Sequence, residues 1–97
     1  MAPIEMEKGF WLAHKTGRFL QVDKNTCDLL GYTNAEMLGM SIRDIDADFT
    51  PDAEQADSSQ FTVYRKKNGS LVKVELHIQH IESNGGQICG FFHSLSA

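Results

Sequence analysis

From Leu71 to Ile81 the side chains alternate in character. Val72, Val74, Leu76, Ile78 and His80 would share one face of an extended strand, and Lys73, Glu75, His77 and Gln79 the other. The strand before it, residues 61–67, leads into Asn68-Gly69, a pair that tolerates the backbone of a tight hairpin turn. After a second turn at Asn84-Gly85-Gly86, residues 87–95 form a last strand, phased with Ile88, Gly90 and Phe92 inward and Cys89, Phe91, His93 and Leu95 outward. The N-terminal side starts with two apolar runs, residues 9–14 (GFWLAH) and 19–23 (FLQVD), joined by a turn at residues 15–17.

Between these two groups of strands the period changes. Residues 24–30 break the alternation and stop at Gly31, which predicts a short helix. Thr33 with Glu36 three residues on has the spacing of a capping box, and Gly39 closes that second helix. Residues 41–45 (SIRDI) predict a third helical turn, with Ile42 and Ile45 on one side. Residues 50–60 (TPDAEQADSSQ) have almost no apolar face and read as loop. The order of strand, strand, short helices and three strands predicts an α+β fold: an antiparallel sheet of about five strands with short helices packed on one face.

Composition narrows the function classes. The 97 residues, 41% apolar, suffice for one core, so a single domain over 1–97 with its core at 9–96 is expected. The net charge of −4 and the lack of a basic stretch argue against nucleic acid and anionic membranes as partners. Arg65, Lys66 and Lys67 are read as a solvated hairpin tip. Cys27 and Cys89 show no metal-ligand spacing and are read as buried free thiols, which fits a cytoplasmic location. No metal site is expected. Residues 1–8 lack the apolar segment of a signal peptide. No nucleophile–base set or phosphate loop is visible, so no catalytic residues are assigned.

The stretch GRFLQVDKNTCDLLGYTNAEMLGMSI resembles the N-terminal pattern of the PAS family at Gly17, Val22, Asp23, Leu30, Gly31, Tyr32, Thr33, Glu36, Leu38 and Gly39. YRKKNGSLVKVELHIQHI resembles the central hairpin of bacterial sensor PAS domains. The resemblance implies a sensory or regulatory module of a bacterial signal-transduction protein, such as a sensor histidine kinase or diguanylate cyclase. The chain is then expected to be a fragment of that larger protein and not an enzyme by itself. Such modules dimerise or hold a ligand between the sheet and the helices. The implied pocket lining is Val22, Leu38, Ile42, Ile45, Val74, Leu76, Ile78 and Phe92, with no cofactor identified.

The light-sensing flavin subclass of the family needs a cysteine where this chain has Ile42, and polar flavin contacts where it has Val74 and Phe92, so flavin-adduct photochemistry is not expected. Covalent haem has no attachment motif, and His80 is the one histidine expected on the core-facing side. The outward Phe91, His93 and Leu95 are expected to form a homodimer contact that couples to an attached output domain. The Asp-Ile-Thr that ends many such domains is replaced by Ser94, Leu95 and Ser96. Two alternatives remain. One is a small α+β enzyme with an apolar pocket, which requires Asp44 or Asp46 to turn inward; the other is a scaffold that binds no ligand.

Overall fold

Asp23 is the joint between sheet and helices. Its backbone is extended (φ −87°, ψ 169°), and its carboxylate accepts from the Thr26 N–H at 2.9 Å, which caps the first helix. The same Oδ1 accepts from the Phe10 N–H at 3.2 Å and from the Thr26 hydroxyl, and Thr26 Oγ1 lies 3.1 Å from the Phe10 nitrogen. One short acidic side chain thus satisfies donors on both a strand and a helix.

The computed structural model describes residues 8–46, 58–82 and 85–95. In chain order they form β1 (Lys8–His14), β2 (Phe19–Val22), α1 (Lys24–Leu30), α2 (Asn34–Leu38), α3 (Ile42–Ile45), β3 (Ser58–Arg65), β4 (Leu71–Ile81) and β5 (Gln87–Ser94). The sheet runs β2-β1-β5-β4-β3, with every neighbouring pair antiparallel. The last strand therefore lies in the middle and closes the N-terminal hairpin onto the C-terminal meander.

The helix boundaries follow from capping chemistry. Gly31 takes φ +85° and returns its N–H to the Cys27 carbonyl at 2.8 Å, a left-handed stop that glycine makes at low cost. Thr33 and Glu36 form the expected reciprocal cap of α2. The linker after α2 is tied to the sheet edge: the Phe19 N–H bonds the Met40 carbonyl at 3.1 Å, and the Ile42 N–H bonds the Gly17 carbonyl at 2.8 Å. Leu20 is an extra residue in β2 where the β1–β2 register shifts, and this bulge lets both Phe19 and Val22 point into the core.

Three expectations about local structure change. β3 begins at Ser58, so residues 58–60 are strand and not loop; residues 50–57 and Asn84 lie outside the described residues. The β3–β4 hairpin does not turn on Asn68-Gly69 alone. Lys66 and Ser70 still bond (2.8 Å), leaving Lys67, Asn68 and Gly69 as a three-residue loop with Gly69 at φ +93°. Nor is the basic tip simply solvated. The Lys67 N–H bonds the Leu30 carbonyl at 2.8 Å, its ammonium pairs with Glu36 at 2.7 Å, and it lies 6.0 Å from the centre of the Tyr32 ring. Lys67 beside Glu36 holds that carboxyl below its usual range.

Candidate functional site

The concave face of the sheet is built from cross-strand pairs of unequal size. Trp11 on β1 stands opposite Gly90 on β5, and Gly9 stands opposite Phe92. A Cβ on Gly90 would lie 2.4 Å from the Trp11 ring, and one on Gly9 would lie 2.3 Å from the Phe92 ring. The absent side chains are the space into which the two rings fold.

From there the Trp11 indole reaches across the sheet and donates to the Tyr64 hydroxyl at 3.1 Å. Tyr64 packs edge-on against Phe92 (5.1 Å between ring centres), and Trp11 packs edge-on against Phe19 (5.9 Å). All four rings are buried. This array draws on four different strands, and of its rings only Phe92 was among the expected lining residues.

Of those residues, Val22, Ile42, Ile45, Val74, Leu76, Ile78 and Phe92 are buried in one core cluster with Trp11 and Tyr64. Leu38 is a correction: it is 36% exposed, and Met37 takes the inward place. In the five-residue α2 a single step along the helix rotates a side chain by about 100°, so the residue after Met37 must face away from the sheet. His80 keeps the predicted phase of β4, across from the buried Ile88, but is exposed rather than core-facing.

The concave side is also not purely hydrocarbon. Asp44 stays at the surface, where its carboxylate accepts from the Ser41 N–H at 2.9 Å. Asp46 is 1% exposed and accepts from the Thr62 hydroxyl at 3.1 Å. The inward turn has a simple cause. α3 ends at Ile45, and Asp46 leaves it in extended backbone (φ −136°, ψ 93°), with its N–H on the Ile42 carbonyl.

Burial pushes the Tyr64 phenol well above its usual range; the Trp11 N–H opposes the shift and the nearby Asp46 adds to it. The sign follows directly. The folded chain holds this proton more tightly than the unfolded chain, whose phenol titrates near 10.0, so Tyr64 favours folding below that pH and its contribution fades as pH rises above it. Thermal melts across the alkaline range should show this loss, and Tyr64→Phe should remove that part of it.

The convex face is different in kind. Phe10 on β1 and Phe91 on β5 are neighbours there, with ring centres 4.9 Å apart. Phe91 is 46% exposed, Phe61 68% and Val63 41%. Tyr64, next to Val63 on β3, points inward. His93 and Leu95 are half-buried on the same face as Phe91. Cys89 shares that outward phase yet is buried, with its thiol 3.9 Å from the Gln79 side-chain oxygen and Leu12 beside it in register. Cys27 is buried in the core, where desolvation raises its thiol pKa; neither cysteine is bridged.

Glu75, His77 and His93 meet at the centre of this convex face. Glu75 Oε1 lies 3.0 Å from His93 Nε2, and Glu75 Oε2 lies 4.0 Å from His77 Nε2. The spacing of Glu75 and His77 on one strand places them side by side. That His93 joins them follows only once β5 is known to pair with β4. No helix among the described residues is long and apolar enough to cross a membrane.

Solved PAS domains share this five-stranded antiparallel sheet with its short helices. A PAS domain from a two-component sensor histidine kinase superposes with a TM-score of 0.80 at 24% identity, covering 90% of this chain and 84% of that one. The PAS domain of an HTR-like protein from Haloarcula marismortui gives 0.77 at 21% identity, covering 91% and 86%. A domain of a sensory box sensor histidine kinase/response regulator from Geobacter sulfurreducens gives 0.77 at 19% identity, covering 88% and 81%. A scan against protein-family models returns no match, and neither does a search of curated proteins. The chain has the PAS fold.

Proposed function

We propose that this chain is a sensory module of a bacterial-type signal-transduction protein. It associates with a second copy of itself through the convex face of the sheet and passes a change in that packing to an attached output domain. The observation that carries this reading is the set of exposed Phe91 and Phe61 with half-buried Phe10 beside Phe91, on a sheet whose other face is already filled. A two-fold contact sets a patch against itself. This patch suits that geometry, because Lys73 and Glu75 set both signs of charge beside Val63 and Phe61. The kinase-derived neighbours support the sensory class. The two unbridged thiols fit a cytoplasmic setting.

In this reading the chain performs no bond chemistry, and its interior relays shape. The four buried rings on the concave side favour a signal carried by packing over one carried by a large ligand held there. Sedimentation velocity provides the test. The wild-type chain should dimerise, and Phe91→Glu should weaken the dimer at least tenfold, since a carboxylate would be desolvated at the contact. An unchanged association constant would refute the reading.

A second reading has one observation in its favour. Asp46 supplies the inward carboxylate that a small pocket enzyme would require. Its engagement by Thr62 on β3 fits a structural acceptor that anchors the end of α3. Turnover by the isolated chain that disappears in Asp46→Asn would favour the enzyme.

A further inference from the structure

The convex face also holds a cluster of polar side chains between its aromatic groups. Glu75 and His77 project from the same side of β4, two residues apart, and His93 stands directly across from Glu75 in the β4–β5 register. The two imidazole rings are 6.4 Å apart and inclined by only 31°. One donor atom from each of the three residues lies within 4.8 Å of the others.

We propose that Glu75, His77 and His93 form a binding site for a first-row divalent cation of the zinc class. Two imidazoles and one carboxylate suit zinc, nickel or copper far better than magnesium or calcium, which prefer all-oxygen shells. Three protein ligands leave at least one coordination position open. That position faces outward, because the His77 side chain is 49% exposed, Glu75 31% and His93 24%.

The geometry needs a modest adjustment. Zinc bonds of about 2.0–2.2 Å place tetrahedral donors roughly 3.4 Å apart. Glu75 and His93 already approach to 3.0 Å, so closure falls mainly to His77, whose exposed ring can rotate toward the pair. The three Cα positions belong to adjacent, hydrogen-bonded central strands, so the framework is set before the ion arrives. Two cations work against binding: Lys8 is the β1 neighbour of His93, and Lys73 precedes Glu75 on the same side of β4. The site lies within the face proposed for association, but its ligands come from a single chain. Metal binding therefore does not require the dimer.

The test is a titration of the untagged, chelator-stripped chain with zinc chloride by calorimetry, and with cobalt chloride by visible absorption. One ion per chain should bind, with a tetrahedral-type cobalt spectrum. His77→Gln and His93→Gln should each weaken zinc binding at least about tenfold, while His14→Gln and His80→Gln should leave it unchanged. The same affinity should hold in chain diluted until it is monomeric, which separates this claim from the association claim. Should a substitution unfold the chain, the imidazole nitrogen resonances of the wild type decide: zinc must move those of His77 and His93 and leave those of His14 and His80 in place. No binding at millimolar zinc, or binding indifferent to His77 and His93, would overturn the proposal and leave only a surface histidine–glutamate pair.

Discussion

Trp11→Ala is expected to destabilise the fold by about 3–5 kcal/mol, the usual cost of emptying a large aromatic site. Trp11 is fully buried, rests on Gly90, abuts Phe19 edge-on and donates the hydrogen bond that satisfies the Tyr64 hydroxyl. The substitution removes hydrocarbon contact and leaves a buried phenol short of a partner. For a chain of 97 residues each kcal/mol corresponds to roughly 4–8 °C in Tm, so the variant should melt well over 10 °C lower or fail to fold. Gly90→Ala tests the same contact from the other side. Its new methyl would sit 2.4 Å from the indole, and overpacking of this kind costs about 1–3 kcal/mol. In the double variant the clash is gone, so the two costs should sum to less than their separate values. Additive costs in chemical denaturation would show that Trp11 does not lie over Gly90.

Asp23→Ala should be the most damaging change at a part-exposed position, lowering stability by about 2–3 kcal/mol. The loss combines a helix cap with a strand donor. Thr26 N–H and Phe10 N–H both lose the acceptor they share, and the fully buried Thr26 hydroxyl is left with only the Phe10 carbonyl at 3.3 Å. Asp23→Asn keeps a side-chain oxygen in place and should recover most of that stability. Urea melts of the two variants separate acceptor geometry from charge. Equal losses would mean that the carboxylate charge, and not the shared acceptor, makes the joint.

The parts of the fold readable in the sequence are those specified by neighbours in the chain. Thr33 and Glu36 announce α2, Gly31 ends α1, and the alternation from Leu71 to Ile81 marks β4 with its observed bounds. These features need only local hydrogen bonds and a period of two. What escaped the sequence depends on strand order. Trp11 meets Tyr64 because β5 inserts between β1 and β4, a contact across 53 residues that no local pattern encodes. Glu75 and His77 were visible as a pair, but His93 joins them only through the β4–β5 register. Leu38 was misplaced because a helix of five residues has no room to display a period, so one residue of phase decided its face. Asp46 was left open because its direction depends on how a four-residue helix ends, and Thr62 supplies the reason only in three dimensions.

The two faces of the sheet thus divide the work. The concave side is closed by large rings nested over glycines. The convex side leaves Phe61, Phe91 and His77 exposed, and this is the surface that the proposed association uses. Backbone amide NMR spectra recorded over a dilution series from millimolar to micromolar chain test that division most directly. Concentration-dependent shifts should cluster at Phe10, Phe61, Val63, Phe91 and His93, with α1 and α2 silent. Shifts centred on the helices, or spectra that do not change with concentration at all, would contradict it.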